Sequence, residues 1–376
     1  MKFAHVSDLH IGKSMNKRSL EEDQRYILKE IIGICTDEGV DGILIAGDIF
    51  DDGTNISNES TRILDDFITD LSSNGIAVFM ISGNHDSQDK VHYMSRMLRE
   101  RQVYISGAFS GKADRIPFTK NGQTVDIYLL PFVKPGQVKR KYPDVKIESY
   151  EDAVSCVLAN SDPSDNKRII VAHQMVFSGT TMPELSDSEF SHIGGLEAVS
   201  ASVFRGFDYV ALGHIHSAMD MGSQKVRYCG APLKYALSRK EREKSVTILE
   251  VNDTVSWYTV PLKPLRDVRF VTGTLDEIIA RGKDDPHKDD FIGAVIEGTA
   301  INPMAQIREV YPNVLSVDFA KSGQTESGEI AIEVDLENLD VMEQFEKFFR
   351  SKTGEGLTDS QRKLIQQLFE ENGVVL

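Results

Sequence analysis

The chain has 376 residues, with 42 Lys and Arg against 58 Asp and Glu, a net charge of −16, 40% hydrophobic and 27% charged residues. This is the composition of a globular protein of two or three domains, and no apolar run approaches the roughly 20 residues that span a bilayer. The three cysteines, Cys35, Cys156 and Cys229, are too scattered for a disulfide framework or a thiolate metal cluster, and a reducing, cytoplasmic setting is expected. The first strand begins at Lys2, which leaves no room for a signal peptide. The negative charge argues against nucleic acid, unless one local basic surface or bound divalent ions reverse it.

In chain order, residues 2–7 read as a short buried strand. A helix follows near 20–38, with Ile27, Ile31, Ile34 and Cys35 at helical spacing. A strand is expected at 42–46, a helix near 58–73 carrying Ile63, Leu64, Phe67, Ile68 and Leu71, and a strand at 76–81. Strand alternating with helix is the signature of a parallel sheet covered by helices. Further strands are expected at 126–130, 168–172, 208–212 and 245–251, and helices near 91–101, 150–160 and 196–203. Pro261 and Pro264 bracket a linker. Beyond it, strands at 267–272, 290–297 and 314–319 alternate with helices at 274–281 and 303–310, and two helices near 340–350 and 359–371 close the chain.

The chemistry sits where strands stop. The first strand ends in Asp8-Leu9-His10, the second in Gly47-Asp48-Ile49-Phe50-Asp51, the third in Gly83-Asn84-His85-Asp86. The strand at 168–172 ends in His173, and that at 208–212 runs into Gly213-His214-Ile215-His216. Ligands of open α/β sheets bind outside the carboxyl ends of the strands, so these scattered residues are expected to converge. Asp oxygen and imidazole nitrogen suit hard and borderline divalent ions. Seven such ligands are too many for one ion and suit two, about 3.5–4 Å apart, bridged by one carboxylate. The glycines before the ligands allow sharp turns and close approach.

This ordered set resembles the calcineurin-like metallophosphoesterase superfamily over the first two-thirds of the chain. The segments 172–179 (Ala-His-Gln-Met-Val-Phe-Ser-Gly), 206–216 (Gly-Phe-Asp-Tyr-Val-Ala-Leu-Gly-His-Ile-His) and 228–235 (Tyr-Cys-Gly-Ala-Pro-Leu-Lys-Tyr) are similar to the SbcD family of nuclease subunits. Ile56, where that family often has Pro, and the stretch 217–222 depart from its pattern without touching a ligand. The resemblance implies an α/β fold, a β-sandwich flanked by helices, with a small α/β capping domain and C-terminal helices. It implies Asp8, His10, Asp48 and His216 around one ion and Asp48, Asn84, His173 and His214 around a second. The expected ions are Mn2+, with Mg2+ as the alternative, and His85 is the catalytic residue that protonates the leaving oxygen or stabilises the phosphate in flight. The activity implied is that of a DNA nuclease, an exonuclease on double-stranded ends and an endonuclease on single strands and hairpins, in repair, replication and recombination. Its partners would be DNA and an SbcC-type coiled-coil ATPase, in a heterotetramer built on a homodimer. Asp51 is a second catalytic candidate, expected near His85, where its charge would favour the protonated ring. The same site would serve a phosphomonoesterase, and a scaffold could keep the fold without the reaction.

Domain logic places the phosphoesterase in 1–260, the capping and DNA-recognition unit in 265–335 and the ATPase-binding helices in 336–376. There Phe345, Phe348, Leu364 and Phe369 are the candidate anchors, and Thr358-x-x-Gln361 is a capping-box pattern. Of three basic groups, Lys13, Lys17 and Arg18 are best placed to meet a DNA backbone. Lys134, Lys139, Arg140, Lys141 and Lys146, and Arg239, Lys240, Arg242 and Lys244, read as solvated faces. His5 reads as a core residue, His92 and His287 as surface residues, and His192 as a loop residue.

Overall fold

The computed structural model describes residues 1–188, 197–223 and 225–320, and beyond them residues 342, 346, 356–358, 361, 362 and 365. Two compact units are present, Met1–Ala320 and Lys321–Leu376. In the second, the Gln361 side chain accepts from Thr358 N at 2.9 Å and Gln361 N donates to Thr358 Oγ1 at 3.4 Å, the capping box expected there. His192, Phe345, Phe348, Leu364 and Phe369 lie outside the described residues.

The first unit is built on two six-stranded sheets. One runs Val255–Pro261, Ser245–Val251, Lys2–Val6, Gly42–Ala46, Ala77–Ile81, Val103–Ser106, parallel from Lys2–Val6 onward. The other runs Met219–Asp220, Val226–Tyr228, Tyr209–Gly213, Lys167–His173, Gln123–Leu130, Asp114–Lys120, parallel through its four middle strands. Alternate residues of each strand serve two cores. Phe3, Leu44, Phe79, Ile169 and Val171 pack between the sheets, while Ile43, Ile45, Val78 and Met80 face helices α1 (Glu21–Asp37) and α2 (Asn58–Ser73). Burial on both faces is why these strands read as unbroken apolar runs. Ser57 caps α2, its side chain accepting from Ser60 N at 2.9 Å.

The helix expected at 91–101 is three short turns: α3 (Gln88–His92), α4 (Ser95–Leu98) and a 3-10 turn at Arg99–Arg101. Met94, at φ +59°, reverses the chain and breaks the helix. His92 there is half-buried, its Nδ1 accepting from Gly107 N at 3.3 Å, so it is not a plain surface residue. Helix α5 (Pro135–Lys141) adds to the expected elements, and α6 (Tyr150–Ala159) falls where one is expected. The helix expected at 196–203 is instead a strand at Val199–Ser200, paired with Val176–Phe177, and a 3-10 turn at Ala201–Phe204 started by Ser200, whose hydroxyl accepts from Ser202 N. Pro261 ends an edge strand, where its missing N–H costs nothing, so the connection begins after it.

The same unit holds a three-stranded parallel sheet, Val268–Gly273, Phe291–Ile296 and Val314–Phe319, joined by α7 (Leu275–Asp284) and α8 (Pro303–Val310). It is tied to the sandwich by Arg266 on Asp23 at 2.6 Å, Lys234 on Asp267 at 2.8 Å and Arg18 on Asn313 at 3.0 Å. No helix among the described residues is long and apolar enough to cross a membrane.

Candidate metal centre

The loops after Lys2–Val6 and Gly42–Ala46 run side by side beyond the sheet. Asp8 N donates to Gly47 O and His10 N to Asp48 O, both at 3.0 Å. The turn out of the strands is abrupt: Asp8 (φ +54°), His10 (+43°), Asp48 (+50°) and His214 (+96°) all adopt left-handed backbone. Non-glycine residues held there cost of order 1–3 kcal/mol each and cluster at functional sites. Gly47 shares this conformation at φ +84°. Gly83 serves by close approach: a Cβ on it would stand 2.1 Å from Asp48 Oδ1.

All eight residues from the five strand ends meet in one place. His10 Nε2 and His216 Nε2 face each other at 3.1 Å, with Asp8 beside them. Asn84 Oδ1 lies 3.0 Å from His173 Nε2 and 2.9 Å from His214 Nδ1. Asp48 Oδ2 stands between the two groups, 3.4 Å from His173 Nε2 and 3.7 Å from His10 Nε2. Its other oxygen accepts from His85 N at 2.9 Å. Around an ion with bonds of about 2.0–2.2 Å, neighbouring ligand atoms are about 3 Å apart. Two imidazole nitrogens facing at that spacing, with carboxylate and amide oxygens alongside, are a donor set that fits divalent ions.

Outer contacts aim these ligands. His173 Nδ1 meets Ala46 O at 2.7 Å, leaving Nε2 turned inward, and His216 Nδ1 meets Ser188 Oγ at 2.7 Å. Gln24 donates to His10 O at 2.7 Å, Tyr235 OH to Leu9 O at 2.5 Å, and Lys244 Nζ to His216 O at 3.0 Å. Asp86 fastens two loops together, accepting from Ile49 N and Phe50 N at 3.0 Å and from Gly83 N at 2.8 Å. Sequence reasoning misses Asp86, although a carboxylate closing the Asn-His-Asp triplet marks a loop that needs such an acceptor.

Burial raises Asp48, but the His173 imidazole, joined by His10 and His85, outweighs burial and holds the carboxyl well below its usual range. His173 answers in kind: burial lowers it, yet Asp48 pushes it up to about 9. His214 is driven down to about 3 by burial and then by His173. Burial raises Asp8, which has His173 and Asp48 as its charged neighbours. The buried carboxylates thus create a demand for positive charge at the point where the ligands converge.

Asp51 does lie beside His10 and His85. Its carboxylate, however, reaches Lys13 Nζ at 2.7 Å and His10 Nδ1 at 3.3 Å. Burial raises it, and those two partners more than reverse this, holding it at about 2. What faces His85 Nδ1 is the Asp51 backbone oxygen, at 3.0 Å. Asp51 therefore acts on His85 through its carbonyl, and its charge is spent on His10 and Lys13. His5 is the core residue expected, bonded to Tyr209 OH at 3.1 Å and Leu212 O at 3.2 Å, and His287 is exposed.

Comparison with known proteins agrees with this geometry. Residues 1–218 match the calcineurin-like phosphoesterase family, and residues 262–353 match a family described as the type 5 capsule protein repressor C-terminal domain. The chain is 30% identical over 377 residues to the SbcD subunit of the SbcCD nuclease from Staphylococcus epidermidis, covering 98% of each. Among solved structures, a dimetal phosphatase from Danio rerio is 13% identical with a TM-score of 0.41, covering 70% of this chain and 98% of its own. The phosphoesterase Yfce from E. coli is 12% identical with a TM-score of 0.27, covering 68% and 91%. With a phosphoesterase match over more than half its length and a full-length relative of that kind, the chain belongs to the calcineurin-like phosphoesterases and, within them, to the SbcD family.

Proposed function

We propose that this protein is a metal-dependent DNA nuclease, cutting double-stranded ends as an exonuclease and single strands or hairpins as an endonuclease, in repair, replication and recombination. The observation that carries the reading is the convergence of Asp8, His10, Asp48, Asn84, His173, His214 and His216 from five strand ends, with Asp48 between two donor groups. The name of the Staphylococcus epidermidis relative supports DNA as substrate and a coiled-coil ATPase of the SbcC type as partner. Two divalent ions, Mn2+ or in its place Mg2+, would be held by those seven residues, Asp48 shared. When bound, they supply the charge that acidifies a water and neutralises the phosphodiester.

The chain's own residues do the rest. His85 is exposed at the rim, where a phosphodiester can reach it. A carbonyl can only accept, so His85 Nδ1 carries a proton toward Asp51 O, and Nε2 is left as the nitrogen that exchanges a proton with the leaving oxygen. Asp51 is its positioning residue. Asp86 and Gln24 hold the loops so that the ligands need not reorganise during the reaction.

In the assembled protein, residues 265–335 would cap the substrate path and 336–376 would dock on the ATPase, two copies of each subunit forming the complex. The test is a manganese-dependent assay on a hairpin-ended duplex, with and without the ATPase, beside a phosphomonoester. Cleavage of the duplex is expected; hydrolysis of the monoester with intact DNA would overturn the reading. Removing 336–376 takes away no ligand, so metal content and ATPase-independent cleavage should stay while co-purification with the ATPase is lost.

A further inference from the structure

Three basic groups stand out in the sequence, and folding disposes of two. Lys13 is engaged by Asp51, and Arg18 donates to Pro312 O and Asn313 Oδ1, holding the three-stranded unit; only Lys17 is left of that group. In the second group, Lys240 meets Asp187, Arg242 meets Glu184, Lys244 meets Glu241, and Arg239 lies over the Phe270 ring at 5.0 Å. In the third, only Lys146 is paired, with Glu148 at 2.9 Å. Lys134, Lys139, Arg140 and Lys141 are exposed, and among the described residues none of their charged groups has a hydrogen-bond or ion-pair partner. Four uncommitted positive charges within eight residues are conspicuous on a chain of net charge −16.

Their position is equally specific. Strand Gln123–Leu130 runs parallel to Lys167–His173, with Leu130 opposite Ala172, so the chain leaves the sheet at the same edge as His173. Phe132 N donates to Ser82 O at 3.0 Å, and its ring lies 6.3 Å from the His173 ring. Gln137 is the latch. Its oxygen accepts from Lys134 N at 2.9 Å and its nitrogen donates to Gln88 Oε1 at 3.1 Å, while Gln88 donates to Phe132 O at 2.8 Å. Gln88 follows His85 by three residues. Val138, fully buried, pins the opposite side of α5 to the sandwich. The basic helix is thus fastened to the loop that carries Asn84 and His85.

We propose that α5 is a grip for the substrate backbone, in which Lys134, Lys139, Arg140 and Lys141 take phosphates beyond the one being cut. The proposal rests on the nuclease reading above and adds the surface by which a long substrate is held. A duplex carries one negative charge per roughly 1.7 Å of its axis, so a helix of seven residues, about 10 Å long, spans several phosphates. The structural cost of changing these side chains is small, because they are exposed and bonded to nothing.

The experiment uses the full chain with all four residues changed to Gln (K134Q, K139Q, R140Q, K141Q). The Michaelis constant on a hairpin-ended duplex should rise at least about tenfold at moderate salt, and the slope of log affinity on log salt should become shallower by roughly 2–4, since each lost phosphate contact removes about 0.9. The turnover number at saturation should stay within about twofold. Bis-p-nitrophenyl phosphate, which offers one phosphate only, separates a lost grip from a damaged site, and its hydrolysis should follow the turnover number. An unchanged Michaelis constant and salt slope would overturn the grip. So would a variant that handles DNA like the parent but no longer co-purifies with the ATPase, which would make α5 a protein contact. A parent protein that hydrolyses the small diester and ignores DNA would instead defeat the nuclease reading.

Discussion

The rim that carries the ligands and the three-stranded unit at 268–319 are built by opposite rules. In the small unit local preferences and final structure agree. Thr274 caps α7 with Glu277 in a reciprocal box, Pro303 opens α8, and the core of Ile278, Ile292, Ala294, Ile296 and Ile307 is wholly apolar. Its one non-glycine residue in left-handed backbone is Asn302, an asparagine, which tolerates it. At the rim, Asp8, His10, Asp48 and His214 all hold that conformation, and Asp8, Asp48 and His173 are buried polar groups. Where local rules are broken together, something outside local energetics is being served. The strain and the buried charge are tolerated because two packed sheets hold the rim from below.

This contrast can be broken experimentally, and the expected effects fall in order. Asp48→Ala should act most strongly. It removes the carboxylate between the two donor groups, so metal affinity should fall by more than about 100-fold and cleavage should vanish with it. His85→Ala should lower turnover by about 10²–10⁴-fold while elemental analysis still finds the full metal content. Equal metal loss in both variants would remove the role given to His85. Gly83→Ala tests close packing at the rim. Its Cβ would collide with Asp48 Oδ1, and overpacking of this kind costs about 1–3 kcal/mol, so a lower melting temperature and reduced metal content should appear together. Thr274→Ala, in the small unit, should cost about 1 kcal/mol through the lost cap, with metal content unaltered. A rim variant as mild as Thr274→Ala would show that the strain at the rim is not functional.

Much of this was legible in the sequence. The parallel strands are unbroken apolar runs because both faces are covered, and each ends in a residue type that only a polar site would want. The small unit was legible almost residue by residue, since its caps and periods are local signals. The misses also share a cause. Strands Val103–Ser106, Asp114–Lys120, Val226–Tyr228 and Val255–Pro261 lie at or next to sheet edges, where shorter length or part-exposed faces blur the pattern. The break at Met94 and the strand at Val199–Ser200 depend on partners elsewhere in the chain.

What the sequence determined by itself was the donor inventory and the order in which strands present it, because residue type and hydrophobic period are properties of short segments. The tertiary structure decided which of those groups meet. His10 and His216 are 206 positions apart in the chain and 3.1 Å apart in space. It also decided that the Asp51 charge goes to Lys13 and His10 while its carbonyl goes to His85, and which basic residues remain unspent. Charge is long-ranged and pairs with whatever the fold brings near, so the Lys13 and Arg18 that looked free in the sequence are committed, and the α5 residues that looked merely solvated are those left without partners.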